Sequence, residues 1–230
     1  MKHYLQNLLI KKSNIVLLII IISVLMAITG YSYYRHESRT IRQERENDLK
    51  AIASLKVDQI SDWYLDEIHY AEIISRNIFL VEMLENWLRN LSGNNRKMLI
   101  QHLSVIITEH GYEDILLTAT DGQILLSTDD KIEKPDSVLI RNIIHAVASQ
   151  SPVLVDFYYC SVHHKIHINF ISPVLDAQSI PIAVMVFQID PEKFLFPLIQ
   201  SWPLPSKSSE TLIVRQYGDC MLQCQDLYWQ

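Results

Sequence analysis

Between Lys12 and Arg35 lie 22 residues without a charge, and Ile15 to Gly30 is almost purely aliphatic. An α-helix rises ~1.5 Å per residue and a bilayer's hydrocarbon core is ~30 Å thick, so ~20 apolar residues cross it. A helix apolar on every face has no place on a soluble domain. Residues 15–34 are therefore expected to form a transmembrane signal anchor. A cleaved signal peptide is the rival reading. Its apolar core runs ~7–15 residues before a small-x-small site, a pattern that Ala27-Ile28-Thr29-Gly30 matches poorly. Lys2, Lys11 and Lys12 favour a cytoplasmic tip over residues 1–14. Val174 to Ile189 is the next most apolar stretch, but Asp176, Gln178, Pro181 and Gln188 interrupt it.

After the span the rhythm becomes helical. His36 to Ile74 contains neither Gly nor Pro. Leu49, Ile52, Ile60, Trp63, Tyr70 and Ile74 follow a seven-residue repeat broken by Lys56 and Glu67. Val57, Tyr64, Ala71 and Ile78 form a second stripe beside it. The pair suits either a stalk helix (35–75) that packs on its own domain and on a second copy, or one amphipathic helix on a single core. Two more helices are expected, Ile78 to Leu91 and Arg96 to His110, the latter capped by Gly111.

The period then drops towards two. Tyr112 to Thr120 and Gln123 to Thr128 flank Asp121-Gly122, a strong hairpin signal. Asp136 to Gln150 predicts a helix stopped by Ser151-Pro152. Three strands follow, Val153–Tyr159, Lys165–Pro173 and Pro181–Ile189; the third is apolar almost throughout and is expected to be central, covered on both faces. Asp190-Pro191 should open a short helix to Gln200, with Asp190 as its N-cap. Ser201–Ser209 reads as a linker, and Thr211–Cys224 as a hairpin that starts another sheet. The fold class is α+β: a transmembrane helix, a long stalk helix, then an antiparallel sheet with flanking helices.

A net charge of −6 argues against a nucleic-acid partner. Cys160, Cys220 and Cys224 are read as free thiols, since Cys220 and Cys224 on one strand stand too far apart to bridge. His163, His164 and His167 invite a zinc reading, hence a membrane-anchored metal hydrolase. Two of them are adjacent at a turn, there is no His-Glu-x-x-His, and zinc needs three or four convergent ligands. No metal, cofactor or catalytic residue is expected.

Three stretches carry a family resemblance: Leu55-Lys56-Val57-Asp58-Gln59-Ile60-Ser61-Asp62-Trp63-Tyr64, Ile115-Leu116-Leu117 with Asp121-Gly122, and Phe194 to Pro203. With Glu210 to Arg215 and Tyr217-Gly218-Asp219, their order resembles the extracytoplasmic double Cache (PDC, PAS-like) region of bacterial membrane sensor histidine kinases and related receptors. The resemblance covers about residues 49–219. It implies a membrane-distal sensor domain over 76–205 and the start of a truncated second subdomain over 206–230. It also implies a small-molecule ligand, a homodimer through the long helix, and a single-pass inner-membrane protein whose C-terminal domain is periplasmic. An inert remnant or interaction module of a split receptor gene is the alternative.

In such domains the ligand sits between the sheet and its covering segments. If Val153–Tyr159 pairs with Lys165–Pro173 across a turn at Val162–His163, Tyr158 faces His167 and Asp156 faces Asn169. Val153, Val155 and Phe157 would then join Ile166, Ile168 and Phe170 on the opposite face. Asp156, Tyr158, His167 and Asn169 are accordingly the expected ligand-binding residues, the rival being a solvent-washed polar face. The Tyr/Arg/Trp/Tyr/Asp signature of some amino-acid-binding double Cache receptors has no counterpart here. The topology is directly testable. Reporters fused after Asp48 should be active only when exported; a mature chain starting near Tyr31 would instead mean a cleaved signal peptide.

Overall fold

The computed structural model describes residues 2–90, 93–129, 135–160, 165–201, 214–217 and 220–223, with side chains described from Asn14 to Ser201 within those ranges, Cys160 excepted. The first helix, α1, runs Lys2–Ser75, and the chain divides into compact units at 1–57 and 58–230.

In the first unit every side chain from Asn14 to Ala51 is exposed. Ile15 to Leu25 thus presents apolar surface on all sides, and among the described residues one helix is long and apolar enough to cross a membrane. The hydroxyl of Thr29 donates back to the Leu25 carbonyl at 2.9 Å, so this polar group is satisfied within its own helix.

The second unit is built on five strands: β1 (Asp114–Thr118), β2 (Ile124–Ser127), β3 (Val153–Cys160), β4 (Lys165–Leu175) and β5 (Pro181–Ile189). They form one antiparallel sheet in the order β2-β1-β5-β4-β3. The apolar β5 is central, as its composition predicts. Asp121-Gly122 turns the first hairpin, with Gly122 at φ 92°. A Cβ there would meet Ile140 at 3.2 Å, so glycine answers both the backbone and the packing. β6 (Val214–Tyr217) and β7 (Cys220–Gln223) pair as a separate two-stranded sheet, inside the stretch where a second hairpin is expected. The linker beyond Ser201, the turn at Val162–His163, His163, His164 and Cys224 lie outside the described residues.

The helices α2 (Ile78–Asn90), α3 (Gly93–His110) and α5 (Leu195–Gln200) join the 58–75 part of α1 on one face. α4 (Ser137–Ser149) covers the other, N-capped by Asp136, whose carboxylate accepts from the Leu139 N–H at 2.7 Å. Gly111, at φ 74°, ends α3 and donates its N–H to Ile107 at 2.8 Å. Asp190 departs from expectation. It caps a turn, accepting from the Glu192 N–H at 2.9 Å, and α5 begins only at Leu195.

Both stripes of α1 turn to the same core. Ile60, Trp63, Tyr70 and Ile74 pack there, and so do Tyr64 and Ala71 of the second stripe; Val57 and Ile78 are exposed. From Tyr64 to Ala71 the second stripe is therefore not a free partner face. Glu67, which breaks the heptad pattern, accepts from the Tyr112 hydroxyl at 2.6 Å and ties α1 to the start of the sheet. Burial pushes the Glu67 carboxyl up, and that hydrogen bond only partly opposes the effect. Two further links join helix and sheet. The Ser75 and Ser172 hydroxyls meet at 2.7 Å, and Phe170 lies edge-on to Trp63 and Tyr64 at 6.0 and 5.7 Å. Trp63 also stacks on Phe194 at 5.4 Å, which brings two of the family-like stretches into contact.

Phe170 is 1 % exposed at the centre of this junction. Phe170→Ala should destabilise the domain by about 3–5 kcal/mol, measured by denaturant melts of the full chain in detergent.

Candidate functional site

The α4 face of the sheet is divided in two. Under α4 it is apolar: Leu116, Val184, Val186, Ile171 and Val155 pack against Leu139, Ile143 and Ala146. Beyond them the strands carry polar side chains in register. Asp114 of β1 pairs with Gln188 of β5, and Gln188 with Asn169 of β4. Further along, His167 faces Tyr158 of β3.

The register confirms the pairing of Tyr158 with His167 but places Asp156 elsewhere. Val155, not Asp156, is the partner of Asn169. A β-bulge between Val155 and Tyr158 sets Asp156 and Phe157 together opposite Ile168. Val153 and Val155 thus lie on the same face as Asn169, against expectation. Phe157 packs into the other core, stacked on Phe196 at 6.3 Å. Asp156 is exposed and accepts from the Phe157 N–H at 2.8 Å. Of the four expected residues, three are brought together, and His167 and Asn169 are fully buried. His167 and Asn169 are therefore not part of a solvent-washed face, whereas Asp156 is open to solvent.

Gln188, which the sequence offered only as an interruption in an apolar run, completes the group. The Asn169 and Gln188 side-chain amides both donate to the Tyr158 hydroxyl, at 2.8 and 3.5 Å. Their carbonyl oxygens, Asn169 Oδ1 and Gln188 Oε1, are buried with no hydrogen-bond partner among the described residues. An unmet buried acceptor costs about 1–3 kcal/mol. Asp114, one strand away, shows the opposite economy. It is 1 % exposed yet accepts from the Ser127 hydroxyl at 2.7 Å, the Thr128 and Asp129 N–H groups at 3.0 and 3.2 Å, and the Thr128 hydroxyl. That carboxylate anchors the end of β2 and is structural.

An ion network borders the row. Glu113 meets His167 Nε2 at 2.9 Å and Lys165 Nζ at 3.2 Å, and Lys165 reaches Asp190 at 3.4 Å. Burial raises the Glu113 carboxyl, but the Lys165 hydrogen bond and the charges of His167, Lys165 and Lys193 outweigh it, and the net shift is downward. Lys165 is shifted upward, first by its hydrogen bond to Glu113. Among the described residues no group of three His, Cys, Asp or Glu side chains is placed to hold a metal ion. Among the described residues the arrangement offers hydrogen bonds and charge.

Because the folded carboxyl of Glu113 lies below its ordinary 4.5, its contribution is present above that value and is lost as pH falls through the lowered one. Melts of wild type and Glu113→Gln from pH 6 downward should therefore converge in acid. Equal acid sensitivity above and below ~4.5 would contradict the network's role.

No family model matches the chain, and no curated protein matches it in sequence. Solved structures do match in fold. One is the sensor domain of the V. cholerae histidine kinase DctB, with a TM-score of 0.56 at 14 % identity over 67 % of this chain and 59 % of that one. Another is the ligand-binding domain of the Pseudomonas fluorescens chemoreceptor CtaA in complex with L-serine, at 0.50 and 15 % over 69 % and 64 %. A third is the sensory domain of the Campylobacter jejuni chemoreceptor Tlp3 with isoleucine bound, at 0.50 and 15 % over 66 % and 61 %. The chain thus spans about three fifths of each of these domains. Its long N-terminal helix, five-stranded antiparallel sheet and flanking helices are the Cache (PDC) sensor fold.

Proposed function

We propose that this chain is the extracytoplasmic small-molecule sensor of a bacterial signal-transduction receptor of the sensor histidine kinase type, anchored in the inner membrane by residues 15–34 with its C-terminal domain in the periplasm. The reading is of a binding module, not an enzyme. The ligand is placed on the α4 side of the sheet, against Tyr158, His167, Asn169 and Gln188. What carries this reading is the pair of buried amide oxygens without partners on the polar part of that face. Native proteins leave few such atoms, and each calls for an explanation. Support also comes from similar domains of the same fold whose structures hold L-serine and isoleucine.

A homodimer through the long helix belongs to the same reading. Leu49 and Val57 are exposed on α1 and are available to a second copy. A ligand acts on such a receptor only if it binds one of its two conformations better than the other.

A panel of small metabolites screened against the full chain in detergent tests this function. A ligand at 100 times its dissociation constant adds about 2.7 kcal/mol, a shift of several degrees for a domain of this size. Asn169→Ala should abolish the response. A panel that produces no shift, or a variant that responds like wild type, contradicts the assignment. Because His167 is fully buried and bonded to Glu113, His167→Ala should also lower the unliganded melting temperature.

A further inference from the structure

We propose that the ligand presents a protonated primary amine to Asn169 Oδ1 and Gln188 Oε1; this rests on the sensor reading above and deepens it. Both amides direct their NH2 groups at one acceptor, the Tyr158 hydroxyl. A phenol has a single proton to give. At most one amide can therefore be turned round to accept from Tyr158. However the two amides are oriented, at least one carbonyl oxygen stays directed away from the hydroxyl. With both as drawn, two buried acceptors stand on neighbouring strands at paired positions of one face.

Only a ligand with donors completes such a site. A dicarboxylate, sulfate or phosphate brings acceptors to acceptors. It also brings negative charge to a row in which Asp114 stands beside Gln188 and which Glu113 and Asp190, both paired with Lys165, border. An ammonium group has three donors and a positive charge; an alcohol has one donor and none. Hydrogen bonds to a charged donor are roughly twice as strong as neutral ones.

The test uses the full chain in detergent and five probes: butylamine, butyltrimethylammonium, butanol, succinate and inorganic phosphate. The quaternary ion keeps the charge and removes the donors. Butylamine should raise the melting temperature, and the other four should not. Gln188→Met, near in shape, should weaken the butylamine response about ten- to hundredfold and leave the unliganded melting temperature equal or higher, since it removes an unmet acceptor. Equal responses to butylamine and butyltrimethylammonium would reduce the site to charge alone and overturn the proposal. A shift with succinate, phosphate or butanol but not butylamine overturns it while leaving the sensor reading intact. Silence from all five, together with silence across the metabolite panel, removes both. A Gln188→Met variant that binds butylamine as tightly as wild type also refutes it.

Discussion

The structure depends on one constraint: the central pair of strands, β4 and β5, is buried on both faces. From Ile166 to Val174 and from Ala183 to Ile189 every side chain is buried. A strand in that position cannot leave a polar group unmet without cost, because no water reaches it. Ser172 meets the condition through Ser75, and Asp114 on the adjacent β1 meets it through its shell of donors. Asn169 and Gln188 do so by half. Their amide nitrogens are used and their oxygens are not. The proposed binding site rests on these two unmet acceptors at paired positions of one face.

Strand alternation connects this feature to the helix. Neighbouring residues of β4 point to opposite faces. Asn169 belongs to the candidate site, while Phe170 contacts Trp63 and Tyr64 of α1, and Ser172 holds Ser75 at the end of the same helix. One strand thus touches the site with one side and the helix with the other. A shift of β4 on ligand binding would be felt directly at 63–75, with no longer chain of contacts required.

Much of this was legible in the sequence, for reasons that can be named. The aliphatic run of β5 announced a central strand. Asp136 marked the start of α4 and Gly111 the end of α3, because caps are local chemistry. The bulge in β3 was not legible. Asp156, Phe157 and Tyr158 satisfy simple alternation equally well, and only the tertiary packing of Phe157 against Phe196 reveals the extra residue. That one residue removes Asp156 from the site. Gln188 was visible as a lone amide in an aliphatic strand, which is the signal that could have placed it in the site. Glu67 looked like a flaw in the heptad until Tyr112, 45 residues away, supplied its donor. Such partners are distant in sequence, so periodicity cannot find them.

The most direct test of the central claim is hydrogen exchange of the full chain with and without a stabilising ligand, read peptide by peptide. Binding at the polar half of the α4 face should slow exchange in β4 and β5 around 165–171 and 184–190, and in β3 around 153–159. The groove between the start of α2 and the β4–β5 turn, lined by Ile78, Val81, Leu175 and Ala177, should be unaffected. Protection confined to that groove, with the three strands unchanged, would contradict the account.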